Sequence, residues 1–335
     1  MNTLRKEPTS LARTVSWAEV DDEAADQRID NFLLRALKGV PKSHIYRLLR
    51  TGQVRVNSQR VEATYRLRVG DRVRLPPVRT ASVQTPRQRA MHRTPATLSP
   101  RALIEDEAVL AIDKPGGMAV HGGSGISRGV IEQLRAERPE LRFLELVHRL
   151  DRDTSGVLLL AKKRSALTGL HAQLRAGEVG KWYLVLVRGR WPDAERHVRF
   201  PLQKRLTATG ERRVDVSPQG QSAHTVFRRL TSFPGYTLLE AELRTGRMHQ
   251  IRVHLAHLGF PVAGDDKYGD FVLNRDLRRM GLKRMFLHAA RLRFRHPISG
   301  ATITVEAPLP NDLQAFLQTI GTSIAAASPS AGRPL

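Results

Sequence analysis

The chemistry of this chain is concentrated in "HRLDRDTSG", His148 to Gly156, where an aspartate stands between two arginines just before the apolar run "VLLLA". Cations beside a carboxylate favour its charged form, and a carboxylate that stays charged beside apolar surface can act as a nucleophile. Most aspartates cap turns or pair with surface arginines. Here Leu150 and the apolar run argue for partial burial, so Asp151 is read as the reactive group. His148, Asp151 and Ser155 also contain the members of a hydrolase triad. Triad members converge from separate segments, however, and no G-x-S-x-G elbow is present. His249, His254 and His257 in "HQIRVHLAHLG" offer ring nitrogens, but no acidic residue lies close in sequence to complete a metal site. They are read as core or RNA-contacting histidines, and no metal is expected.

Three further positions bear on the same chemistry. Tyr183 in "KWYLVLVRG" alternates with Leu184 along a strand. It serves either the core or as a face on which an extruded base stacks. Arg247 in "RTGRMHQIRVH" follows the Gly246 turn at the start of a helix, the wrong end for a cation in the helix dipole. That misfit suggests an anionic partner, Asp151 or a phosphate. The glycine-rich "KPGGMAVHGGSG", Lys114 to Gly125, lacks the P-loop spacing and is read as a flexible loop at the site.

The elements that must hold these residues can be read from periodicity. From Arg28 to Arg79 there are thirteen Lys or Arg against three acidic residues. Ile29, Phe32, Leu33 and Leu37 recur at helical spacing. A second helix carries Ile45, Leu48 and Leu49, with Ser43 as its N-cap and its end at Gly52. "VRVNSQRV" reads as a hairpin about Asn57-Ser58, and "YRLRVGDRVRL" turns at Gly70-Asp71. Residues 21–80 are therefore expected to form a small basic ααβ unit. Residues 81–100 carry three prolines and read as a linker. Residues 101–320 hold the strands "ALIEDEAVLAIDKP", "GVLLLAKK", "KWYLVLVRG", "AHTVFRRL", "YTLLEAELRTG", "LHAARLRFRHP" and "TITVEAPLP", with helices at "RGVIEQLRAE" and "HQIRVHLAHLG". That order predicts an α+β domain with a mixed, largely antiparallel sheet. Residues 1–20 and 321–335 read as disordered tails.

Composition narrows the partner. Among 335 residues, Lys and Arg number 55 against 32 Asp and Glu, a formal net of +23. Such a surplus repels itself in a compact chain and usually faces a polyanion, though arginine enrichment of the genome would give the same count. The chain has no cysteine, which excludes disulfides and thiolate chemistry and fits a reducing compartment, so a cytoplasmic location is expected. No apolar run reaches the length of a membrane helix and the N-terminus lacks a signal peptide's apolar centre; no membrane role is expected.

These motifs resemble the RluA-type pseudouridine synthases. "HRLDRDTSG" looks like their signature, "DKPGGMAVHGG" like the motif before it, and "KWY", "RTGRMHQIRVHLAHLGFPVAGDDKYG" and "LHAARLRFRHP" like those after it, in order across about residues 100 to 310. "RIDNFLLRALKGVPKSHIYRLLRTGQVRVN" resembles a small RNA-binding domain shared with a small-subunit ribosomal protein. The resemblance implies isomerisation of uridine to pseudouridine in large-subunit (23S) ribosomal RNA, without cofactor or metal; a monomer is expected. It implies that Asp151 is catalytic, that Tyr183 stacks on the base and joins the proton chemistry, that Arg247 pairs with Asp151, and that Arg149 fills the gap left by the flipped uridine. His148, Arg152 and Lys114 near the carboxylate, and Arg35, Lys42, Arg47 and Arg50 on the basic helices, are candidate RNA contacts. Residues 193–220 match no family-wide motif, and substrate choice is expected there. The alternative is a non-catalytic RNA-binding assembly factor that kept the fold.

Overall fold

The computed structural model describes residues 15–21, 24–37, 40–78, 100–122, 129–207 and 211–326. The chain divides into two compact units, 1–98 and 99–335. The division falls in the segment read as a linker, which apart from Pro100 lies outside the described residues, as do most of both tails.

The smaller unit packs α1 (Ile29–Ala36) and α2 (Lys42–Arg50) on a three-stranded sheet of β1 (Ser16–Glu19), β3 (Arg72–Leu75) and β2 (Arg55–Val56), in that order. Ile29, Leu33, Ile45, Leu48 and Val73 make its core, at the spacing the sequence shows. Residues 16–19, read as part of a disordered tail, are a correction: they pair along β3, with buried Val20 behind them and the Trp17 ring under Arg72 at 5.2 Å. Ser43 is another. Helix α2 begins at Lys42 with Pro41 at the cap, so Ser43 lies inside the first turn. The Asn57-Ser58 turn forms, both residues taking left-handed φ (48° and 70°). Only a single bridge, Val56 to Gln59, closes it, because β2 takes β3 as its ladder partner.

The larger unit is built on a ten-stranded mixed sheet. Its main path runs β4 (Arg101–Glu105), β5 (Val109–Lys114), β7 (Ser155–Ala161), β14 (Leu287–Arg295), β8 (Gly180–Arg188), β13 (Tyr236–Leu243), β12 (Thr225–Phe233) and β9 (Glu195–Val198). β6 (Glu145–Leu146) pairs with β7 and β15 (Thr302–Glu306) with β14. Every pairing is antiparallel except β7 with β14. Strand β7 is buried throughout and apolar after Ser155 because both its faces are covered. Leu158 and Leu160 pack toward α3 (Val130–Glu137) and α5 (Gln250–His257), whereas Val157 and Leu159 pack toward α4 (Arg164–Ala176). Two later helices, α6 (Phe271–Arg279) and α7 (Asn311–Ala326), close another core over Leu186 and Leu238. Helix α7 runs through residues 321–326, which corrects the expectation that the disordered tail begins at 321. A separate two-stranded arm, β10 (Leu202–Leu206) and β11 (Arg212–Val216), rises from the region that matches no motif.

The parallel contact of β7 with β14 is short, His288 beside Ser155 and Ala289 beside Gly156. It depends on glycine: a Cβ at Gly156 would lie 2.2 Å from the Ala289 carbonyl oxygen, and the residue takes φ 106°. Here the Thr-Ser-Gly sequence meets its physical requirement, since Thr154 and Ser155 are buried and the next residue must let another backbone pass. The two strands join the halves of the sheet at the end of the Asp151 loop.

Candidate active site

Asp151 sits in the turn that enters β7, its carbonyl accepting from Thr154 N and its neighbour Leu150 buried. The carboxylate keeps 26% of its surface, open enough to reach a ligand. Its ion-pair partner is Arg252, whose Nη1 donates to Oδ2 at 2.9 Å. The remaining guanidinium donors go to Asp265, Nε to Oδ2 at 2.7 Å and Nη2 to Oδ1 at 2.8 Å. Asp265 is buried (1% exposed) and also accepts from Lys267 N and Tyr268 N, while the guanidinium lies over the Tyr268 ring at 5.0 Å. Burial alone would lower the Arg252 pKa, but the bonds and charges of Asp265 and Asp151 outweigh it and hold the pKa above its ordinary value. Arg252 is therefore a fixed cation, with a fork locked from behind by one carboxylate and one arm left for the other.

The expected Arg247–Asp151 pair is corrected by this geometry. Arg247 is exposed, donates from Nε to the Ser222 carbonyl at 3.0 Å, and lines a cavity of about 340 Å³ beside the β10–β11 arm. The helix starts at Gln250, not Arg247; the buried Gln250 side chain holds the turn by accepting from Arg247 N and Thr245 Oγ1. Arg252, in the first turn of the helix, then points at the β7 loop. Its signal was available: an arginine between Ile251 and Val253 in a run that buries every position from Gln250 to Leu255.

His249 also joins the site. It takes left-handed φ 54°, bonds Tyr268 Oη through Nδ1 at 2.8 Å, and brings Nε2 to 3.8 Å from Asp151 Oδ1. Such backbone costs of order 1–3 kcal/mol for a residue with a Cβ and tends to collect where function needs a set geometry. Burial lowers the His249 pKa, with the Asp151 charge opposing. The other two histidines of that stretch serve packing. His254 bonds Thr225 Oγ1 and the Phe200 carbonyl, and His257 meets the Phe200 ring edge-on. Among the described residues no group of three or more His, Asp or Glu could hold a metal ion.

Tyr183 lies on the β8 face that looks toward α5, 7% exposed, in the cluster that includes Leu150 and Ile251. Burial, and then the Asp151 charge, push its hydroxyl pKa upward. It is a protonated phenol at neutral pH, able to donate but not to act as a base.

Of the candidate RNA contacts near the carboxylate, two are corrected. Lys114 is fully buried at the end of β5, its Nζ donating to the carbonyls of Pro115, Met118 and Arg152 at 2.8, 2.8 and 3.0 Å. Burial pushes its amine down to about 7. It ties the 115–118 turn to the Asp151 loop and presents nothing to RNA. The loop expected to be flexible is thus anchored at its start, and Gly122 N is held by Glu132; residues 123–128 lie outside the described residues. His148 is the second. Strand β7 is bordered on one edge by β14 at residues 155–156 and by β6 at 160–161, and between them Leu159 N lacks a strand partner. The His148 Nε2 accepts that N–H at 3.1 Å. This also removes the triad reading, because Ser155 Oγ bonds His288 and Arg284 instead. The Arg149 side chain is exposed and, among the described residues, without hydrogen bond or ion pair; Arg152 is exposed and pairs with Asp153 at 3.2 Å. Arg35, Lys42, Arg47 and Arg50 are all exposed on the smaller unit's helices.

Burial and the nearby Lys181 charge push the His148 ring down to about 4 from 6.5. A histidine held neutral by the fold stabilises above its unfolded pKa, and that contribution is lost as pH falls from 6.5 toward 4. Between pH 7 and pH 5 this amounts to about 2 kcal/mol. In His148→Gln the amide oxygen can still accept from Leu159 N but does not titrate. Urea unfolding of the variant is expected to lose about 2 kcal/mol less than the wild type over that interval; equal losses would refute the assignment.

Comparison with known proteins gives one answer. A family model described as RNA pseudouridylate synthase matches residues 108–257, and one described as S4 domain matches residues 27–73. The ribosomal large subunit pseudouridine synthase C of Yersinia pestis is 54% identical over 300 residues, covering 90% of this chain and 94% of its own. The protein of the same name from Escherichia coli K12 is 50% identical over 309 residues, covering 92% and 97%. Among solved structures, human RNA pseudouridylate synthase domain containing 4 superposes with a TM-score of 0.54 at 26% identity, over 66% of this chain and 93% of that one. The human domain-containing 1 protein gives 0.55 at 25%, over 71% and 100%.

Proposed function

The chain belongs to the RNA pseudouridylate synthase family, and from that premise we propose that it isomerises chosen uridines to pseudouridine in large-subunit (23S) ribosomal RNA, with Asp151 as the catalytic carboxylate. The reaction breaks the bond from ribose C1′ to uracil N1, turns the uracil, and joins C1′ to C5; the C5 proton leaves and N1 gains one. One observation carries the reading: a partly open carboxylate gripped by a guanidinium whose other donors are locked on a buried aspartate. A merely structural pair would have no need to leave Asp151 a quarter exposed. Tyr183, beside it, offers a ring for the extruded base and a phenol that stays protonated. Arg149, exposed and unpartnered among the described residues two positions before Asp151, suits a side chain that enters the RNA in the flipped base's place. The names of the relatives at 54% and 50% identity support large-subunit ribosomal RNA as the substrate.

The smaller unit is read as an RNA-gripping module, supported by its match to the S4 domain and by exposed Arg35, Lys42, Arg47 and Arg50. Neutralising these four to glutamine is expected to weaken RNA binding and make log K less steep in log salt by up to about 3, at 0.7 to 0.9 per lost phosphate contact. Turnover on a short saturating RNA should stay near wild type. Filter binding at several salt concentrations decides this, and an unchanged slope would assign the module another role. For the reaction itself, the test is conversion of a 23S transcript by purified protein, read by tritium release from uracil C5.

A further inference from the structure

Strand β8 turns two polar side chains toward the face that carries Asp151. Tyr183 is one; Lys181, two residues earlier, is the other. Trp182 between them faces away, stacked under Arg291 at 4.5 Å. Three observations locate the Lys181 ammonium. A Cβ placed on Gly246 would lie 3.5 Å from its Nζ, so it rests against the turn that leads into α5 and Arg252. Its charge reaches the His148 ring, three residues before Asp151. It shares its strand face with Tyr183. The ammonium thus stands where the segments carrying Asp151, Tyr183 and Arg252 come together.

It is also unsatisfied. Lys181 is half-buried, and among the described residues its ammonium makes no hydrogen bond and no ion pair. Burial lowers its pKa. The buried cations of the site are committed: Arg252 has two carboxylates and Lys114 three carbonyls. A desolvated cation without a partner costs free energy, and the cost is recovered when a ligand brings an anion to it. Asp151 is already paired, so the anion must come from outside the protein.

We propose that Lys181 binds a backbone phosphate flanking the flipped uridine. This rests on the reading of the site as a uridine isomerase. A nucleotide swung into the groove carries its own phosphates to the rim. A compact ammonium suits such a contact because it imposes no planar geometry on an oxygen that must settle as the base enters. A neutral uracil carbonyl would leave the charge uncompensated. Lys181 therefore acts in binding and positioning, not in bond-making.

The experiment uses the full-length protein and a 23S rRNA fragment in which the wild type forms pseudouridine. Lys181→Met keeps the length of the side chain and removes the charge. Expected results are about tenfold weaker binding at low salt, a slope of log K against log salt shallower by about 0.7, one single-strand phosphate, and unfolding of the RNA-free protein at the same or higher denaturant concentration. Replacing the flanking phosphate by methylphosphonate should weaken wild-type binding by a similar factor and leave the variant's binding unchanged. Lys181→Arg should retain most of the affinity, and Lys181→Gln, which also removes the charge, is measured beside the Met variant and carries the same expectations if that one fails to fold. An unchanged salt slope, or a variant that still loses the full factor with methylphosphonate at either flanking position, overturns the proposal. Binding is read without turnover, so a wild type that binds but forms no pseudouridine refutes the isomerase reading separately.

Discussion

Asp151→Asn is expected to abolish pseudouridine formation, by at least about 10⁴-fold in single turnover, while RNA affinity stays within about twofold. The substitution is nearly isosteric. The Asn oxygen can still accept from Arg252 Nη1, so the turn and the pair geometry survive. What disappears is the negative oxygen that the chemistry needs. That need is the same whether the carboxylate attacks the ribose, attacks the uracil ring or only assists elimination, so the prediction does not depend on the choice among them. Stability should change little, because Arg252 keeps its two bonds to Asp265. Tritium release from uracil C5 and filter binding on the same preparation measure both quantities. Normal turnover by the variant would end the assignment.

Arg252→Gln is expected to have the second-largest effect, and a double one. The rate should fall about 10³-fold, the size found when a preorganised charged partner is removed from a reacting group. Stability should fall by about 3–5 kcal/mol, because Asp265 is buried and would be left without its cation. Arg252→Lys should recover part of the stability and little of the rate, since an ammonium cannot hold one carboxylate with two donors and the other with a third. Asp265→Asn should move stability in the same direction with a smaller loss of rate. An Arg247→Gln control should leave stability unchanged, as that side chain is exposed and bonded only to the Ser222 carbonyl. Chemical denaturation and single-turnover rates on the four variants check the set; an Arg247→Gln loss as large as that of Arg252→Gln would contradict it.

The difference between those two arginines shows what local pattern can and cannot say. The strands that carry the Asp151 turn and Tyr183 are legible because alternation along a strand is a local property. Which arginine reaches Asp151 is a tertiary fact. A helix starting at Arg247 would leave that cation at the wrong end of the dipole and in need of an anion. The helix begins three residues later, held by Gln250, and its first turn brings Arg252 to the β7 loop. Asp265, which locks Arg252, lies thirteen residues further on in a turn, with nothing local to mark it as buried. His148 was misread for a similar reason: the gap it fills in the sheet exists only because β6 and β14 share one edge of β7. Lys114 looked like a loop cation and is a strand residue whose ammonium replaces missing backbone donors. The strands β9, β10 and β11 are short and half polar, so period-2 alternation is weak there, and β1 is legible only once Val20 is seen to be buried.

The most direct measurement is a cycle of single-turnover rates with Asp151→Asn, Arg252→Gln and the double variant on one 23S fragment. If the guanidinium acts through the carboxylate, the double variant should be no slower than Asp151→Asn alone. Losses that multiply, or an Asp151→Asn protein that still releases tritium at the wild-type rate, would contradict the account.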